Sequence, residues 1–214
     1  MKGKFYIEPN AHVLVAGATG TGKSFLAEQY LKGYENVIKL DTKLESYERW
    51  ESGVSPWYGL EENEDFEVCT TLEECQKSKF KKIIFAPDFE EQTEETFNEF
   101  FHWIFLRQNT IVWIDELMSI GSVHKYPKEL HRLMIMGRSK NIGVWSCTQR
   151  PSGIPTIVPS NCKYFFVFNL YNDNDRKKMV NVTGFPELAR LPTGHNFWYC
   201  KMGDTHPILA YLDV

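Results

Sequence analysis

No apolar run in the 214-residue chain approaches the roughly 20 residues that a helix needs to cross a bilayer. The opening residues Met1-Lys2-Gly3-Lys4-Phe5 lack the apolar stretch of a secretory leader, so a soluble chain with no transmembrane segment is expected. Cysteine is sparse and unpaired. Its five positions, Cys69, Cys75, Cys147, Cys162 and Cys200, are odd in number, form no C-x-x-C spacing and fall mostly in apolar runs. That pattern disfavours a disulfide framework and predicts reduced, buried thiols in a cytoplasmic protein. Positive charge is also in deficit: the formal net charge of −4 excludes a surface coated with basic residues, while leaving room for a local basic pore. Internal repeats and low-complexity tracts are absent. The length suits one α/β domain over residues 1–214, with a core of about 12–170 and a C-terminal helix and hairpin over about 171–214.

What is present centres on Gly17-Ala18-Thr19-Gly20-Thr21-Gly22-Lys23-Ser24, a full match to G-x-x-x-x-G-K-[ST]. His12–Ala16 before it reads as a buried strand, and Ser24–Leu31 after it has helical spacing. Glycines let the backbone turn its N–H groups inward on a polyanion, at the positive end of the following helix. Lys23 would neutralise β- and γ-phosphate oxygens, and the Ser24 hydroxyl would ligate magnesium, so ATP and Mg2+ are the expected cofactors.

The second informative stretch is Ile111-Val112-Trp113-Ile114-Asp115-Glu116, an apolar strand ending in two carboxylates. At the carboxyl edge of a parallel sheet, Asp115 would hold the metal and Glu116 would act as general base toward water. A third strand, Asn141–Thr148, ends in Gln149-Arg150-Pro151, and its glutamine amide would reach the γ-phosphate or the attacking water. These three strand tips indicate the ASCE branch of P-loop NTPases, in which an extra strand lies between the P-loop strand and the Asp strand. The GTPase motif Asn-Lys-x-Asp is missing, as is an Arg-rich kinase lid.

The remaining elements follow from periodicity. Strands are expected at Asn36–Leu40, Phe66–Cys69, Ile83–Ala86 and Cys162–Leu170, and helices from Leu72, over Glu94–Arg107, over Lys128–Met136 and over Asn172–Val182. Asn196–Lys201 and Pro207–Leu212 read as a terminal hairpin. Phe97, Phe100, Phe101, Ile104 and Phe105 form an apolar stripe expected to face the sheet. Tyr47, Trp50, Trp57 and Tyr58 either pack or stack on a base. Between Ser119 and Arg150 the basic residues Lys125, Lys128, Arg132, Arg138, Lys140 and Arg150 face only one acid, Glu129. They either solvate their helix or present a positive side to DNA phosphates.

The run from Ile111 to Glu116, through Gly137-Arg138-Ser139-Lys140-Asn141-Ile142-Gly143, to Cys147-Thr148-Gln149-Arg150-Pro151 resembles the FtsK/HerA superfamily of DNA-pumping ATPases. Within it the likeness is to the small genome-packaging ATPases of viruses. The resemblance implies a RecA-like P-loop fold, with a mainly parallel sheet flanked by helices, and an ATPase that translocates double-stranded DNA into a preformed capsid. It also implies a pentameric or hexameric ring, contact with a capsid vertex or portal, and a location in the cytoplasm or at the virion vertex. A neighbouring subunit would supply an arginine, Arg138 first and Arg150 second. The chain departs from the superfamily in lacking a membrane anchor, an N-terminal barrel and a nuclease domain. The alternative is an assembly or export ATPase with a protein partner, of the secretion or filamentous-phage type.

Overall fold

The computed structural model describes residues 5–213, so the leader expectation for Met1–Lys4 lies outside the described residues. The chain runs β1 (Val13–Ala16), α1 (Lys23–Leu31), β2 (Val37–Leu40), α2 (Glu45–Glu51), β3 (Glu67–Cys69), α3 (Leu72–Lys77), β4 (Lys82–Phe85), α4 (Glu94–Arg107) and β5 (Ile111–Ile114). It continues through α5 (Lys128–Met136), β6 (Gly143–Thr148), α6 (Ile157–Asn161), β7 (Tyr164–Val167), α7 (Asp173–Thr183), β8 (Asn196–Lys201) and β9 (Ile208–Tyr211). The nine strands form one sheet in the order β3-β4-β2-β5-β6-β1-β7-β8-β9. From β3 to β7 all pairs are parallel, and β8 and β9 add an antiparallel hairpin. β6 lies between β1 and β5, as the ASCE pattern requires.

Alternation along the strands sorts side chains into two cores, one on each face of the sheet. Leu14, Ala16, Ile38, Leu40, Val112, Ile114 and Val144 face the layer that holds α4 and α5. Val13, Val15, Val37, Ile111, Trp113, Trp145 and Cys147 face the other layer, with Leu26, Ala27, Tyr30 and Leu31 of α1. The expected stripe on α4 is buried throughout, and Phe100 stacks on Phe85 at 5.3 Å between ring centroids. Glu94, Glu95 and Glu99 are exposed on its other side. Thr93 caps this helix by accepting from the Thr96 N–H at 3.2 Å.

Two short helices were not expected. α2 arises in the polar aromatic stretch after β2, and α6 precedes β7. Of the aromatics there, Trp57 is fully buried against Phe66 and Trp113, which makes it core, whereas Trp50 and Tyr58 are exposed. The five cysteines are buried and free. The residues before β1 pack on the sheet: Phe5 stacks on Tyr199, and Glu8 accepts from Lys163 Nζ at 2.7 Å and from the Tyr164 hydroxyl. The basic residues of 119–150 do not form one face. Arg138 and Lys140 precede β6 at the amino edge of the sheet and Arg150 follows it at the carboxyl edge. Lys125, Arg132 and Arg150 are each matched with an acid.

His12, fully buried before β1, ties the strands together by accepting from the Val144 N–H on Nδ1 at 3.1 Å. Burial pushes its pKa down to about 4 from the ordinary histidine value of 6.5, so the folded state resists a proton that the unfolded chain accepts. This contribution is present above pH 6.5 and is lost as pH falls toward 4. Between pH 7.5 and 5 it should amount to about 2 kcal/mol. Denaturant unfolding at the two pH values checks this, and His12→Gln, which keeps an acceptor but cannot ionise, should flatten the slope.

Candidate nucleotide site

Parallel register sets the site. Ala16 of β1 lies opposite Thr148 of β6, and Ile114 of β5 lies opposite Ser146, so the ends of the three strands arrive at one edge together. Gly17 N–H donates to the Thr148 carbonyl at 3.1 Å and Ala18 N–H to the Asn169 carbonyl at 2.8 Å, which fixes both ends of the loop's first turn to neighbouring strands. A Cβ on Gly17 would stand 2.6 Å from Phe168 Cβ, so no side chain fits there. Gly22, with φ of 100°, is the N-cap of α1, and a Cβ there would meet Leu212 at 2.8 Å. The His195 ring nitrogen Nδ1 sits 3.2 Å from the Thr21 carbonyl. The C-terminal hairpin therefore buttresses the loop.

Across the edge, Ser24 Oγ donates to Asp115 Oδ1 at 3.0 Å, and Thr19 Oγ1 donates to Gln149 Oε1 at 2.8 Å. The structure thus brings the loop, Asp115 with its neighbour Glu116, and Gln149 to one place. Gly20, with φ of 76°, forms the exposed outer turn of the loop, and Thr21 Oγ1 closes it onto the Ala18 carbonyl at 2.8 Å. Lys23 Nζ donates to the same carbonyl at 2.9 Å. Burial pulls its pKa below the ordinary lysine value.

Asp115 is fully buried, and its Oδ2 has no hydrogen-bond partner among the described residues. An orphaned buried carboxylate oxygen beside a serine hydroxyl is the donor set that a hard divalent cation takes, so the residues present fit magnesium. Glu116 accepts from the Met118 N–H at 3.4 Å, and burial raises its pKa. That favours a carboxylate able to take up a proton.

Sequence reasoning passed over Lys43. Its ammonium lies 3.5 Å from Asp115 Oδ2 and 4.0 Å from Glu116 Oε2. The signal was its place just beyond β2, but only the pairing of β2 with β5 aims it at the acids. Arg138 is exposed, carries no ion pair among the described residues, and lines an open cleft of about 620 Å³ at the amino edge with Asn161, Lys163 and Asn181. It is therefore remote from this subunit's own loop. Arg150 is committed elsewhere, with Nε 2.9 Å from the buried Asp175 Oδ2.

Lys23→Ala should weaken binding of a fluorescent ATP analogue by roughly ten- to a hundredfold, the range for losing hydrogen bonds to a charged group. A titration that leaves affinity unchanged would remove Lys23 from the phosphate site.

No family model matches the chain. Protein P9 of Pseudoalteromonas phage PM2 is 28% identical over 205 residues, covering 91% of this chain and 87% of P9. The genome packaging NTPase B204 from Sulfolobus turreted icosahedral virus 2, solved with ATPγS, superimposes with a TM-score of 0.76 at 16% identity over 97% of this chain and all of B204. VirB4 of Thermoanaerobacter pseudethanolicus gives 0.65 at 11% identity over 95% of this chain and 89% of VirB4. The pCW3 conjugation coupling protein TcpA gives 0.60 at 18% identity over 99% of this chain and 64% of TcpA. The chain therefore shares the fold of these solved structures, that of the genome packaging NTPase B204 along nearly its whole length.

Proposed function

We propose that the chain is an ATPase that translocates double-stranded DNA, acting as a viral genome-packaging motor. The observation that carries the reading is the joining of the P-loop to both other strand tips, Ser24 to Asp115 and Thr19 to Gln149. Its likeness to B204 along nearly the whole of both chains supports the choice of motor.

In this reading the loop amides and Lys23 hold the triphosphate, and Ser24 and Asp115 hold magnesium, which would supply charge neutralisation at the phosphate oxygens. Glu116 takes the proton of the attacking water as its oxygen bonds to the γ-phosphorus and the bond to the ADP oxygen breaks. Gln149 senses the γ-phosphate. Arg138 acts on a neighbour's nucleotide: it is unpaired and exposed at the amino edge, whereas Arg150 is held by Asp175. In this reading the copies form a ring, pentameric or hexameric as the resemblance implies, with a capsid vertex or portal as its seat and the cytoplasm as its place of assembly. Export of a protein partner is the second reading, favoured by the likeness to VirB4 and by the division of basic residues between two edges.

Glu116→Gln should bind ATP and turn over at least about 10² slower, within the range for a positioned base. Mixing it with Arg138→Ala should restore part of the ATPase rate, because each mutant repairs the other's site; no recovery at any ratio would remove Arg138 from the neighbour's site. Double-stranded DNA should stimulate hydrolysis, with the stimulation fading as salt rises. A rate indifferent to DNA would favour the export reading.

A further inference from the structure

The acid pair of the site has a side-chain cation facing it. Lys43 Nζ stands among three carboxylates, 3.5 Å from Asp115 Oδ2, 3.5 Å from Glu45 Oε1 and 4.0 Å from Glu116 Oε2. None of these is a tight contact, and Asp115 Oδ2 remains without a hydrogen bond despite complete burial. The backbone that aims Lys43 is firmly set. Buried Asp41, at the end of β2, accepts from the Lys43 N–H at 3.3 Å, the Ser46 N–H at 2.8 Å and the Ser46 hydroxyl at 2.5 Å. Leu44 takes a left-handed φ of 61°, which a non-glycine residue adopts only where its surroundings enforce it. A fixed backbone with a loosely held ammonium is the arrangement expected of a charge that must be present at one stage and absent from its place at another.

We propose that Lys43 is the resident counter-cation of the unloaded site, holding the place beside Asp115 and Glu116 against free divalent cations, so that metal enters together with the triphosphate. The proposal rests on the nucleotide-site reading only in taking Asp115 as the metal's acceptor. A divalent ion arriving alone meets the ammonium's repulsion across a few ångströms and gains only two carboxylates already partly neutralised. Arriving with a triphosphate it brings three or more negative charges, and the ammonium is then drawn away from Asp115. Glu45, whose side chain is 32% exposed, lies on the solvent side to receive it.

Mn2+ titration followed by electron paramagnetic resonance, with no nucleotide present, tests this. The wild-type chain should bind Mn2+ weakly, and Lys43→Met should bind it at least about tenfold more tightly, the effect of removing one unit charge at this range. Lys43→Arg should behave as wild type, and adding Asp115→Asn to Lys43→Met should abolish the gain. An unchanged Mn2+ affinity in Lys43→Met, or a gain that survives Asp115→Asn, would overturn the proposal. Should Lys43→Met not fold, Lys43→Gln keeps the polar end without the charge and carries the same expectation. Failure of the wild-type chain to bind ATP would instead defeat the nucleotide reading, because the Mn2+ comparison is made without nucleotide.

Discussion

The hydrogen bond from Ser24 to Asp115 spans two strand spacings, roughly 10 Å of sheet, and everything in the site depends on that span being closed. It closes because β6 fills the gap between β1 and β5 with both pairings parallel and in register. A slip of one residue in either ladder would turn Asp115 toward the opposite face of the sheet and leave Ser24 facing an apolar side chain. The fully buried faces on either side enforce the register, since the alternation that sends Val112 and Ile114 into one core sends Ile111 and Trp113 into the other. The site is in this sense a by-product of core packing, and the polar residues at the tips add little to holding the strands where they are.

Much of this was legible in the sequence, for a physical reason. Parallel strands buried on both faces read as continuous apolar runs, and the functional residues stand where those runs stop, at Gly17, Asp115 and Gln149. α4 and α5 were legible to the residue because each has a long apolar stripe, and α4 has a side-chain cap at Thr93. α2 was not legible: it is seven residues long, its N-cap is Leu44 with no side-chain cap bond, and its segment Glu-Ser-Tyr-Glu-Arg-Trp-Glu carries no apolar stripe. What holds it is tertiary, through Arg49 on buried Glu28 at 2.7 Å and Ser46 on Asp41. Lys43 went unread for the same reason, because its meaning comes from the strand beside β2 and no local pattern encodes that neighbour.

The two arginines show how local pairing separates candidates that the sequence could only rank. Arg150 follows Gln149 directly, yet its guanidinium is joined to Asp175, which also accepts from the Ser152 N–H at 2.9 Å and the Ser152 hydroxyl at 2.6 Å. Removing Arg150 would strand the buried Asp175 carboxylate, although the guanidinium itself is exposed, which makes this junction a structural clamp between the turn after β6 and the first turn of α7. The clamp has a mechanical consequence. The same turn carries Gln149, bonded to Thr19 of the loop, and the loop is bonded through Ala18 to Asn169 at the end of β7, just before α7. A shift of Gln149 therefore has two rigid routes to the start of α7. Arg138 has no ion pair among the described residues, and an exposed guanidinium at the far edge of the sheet gains little within its own chain. Under the proposed function its place becomes intelligible once another copy's anion is set against it.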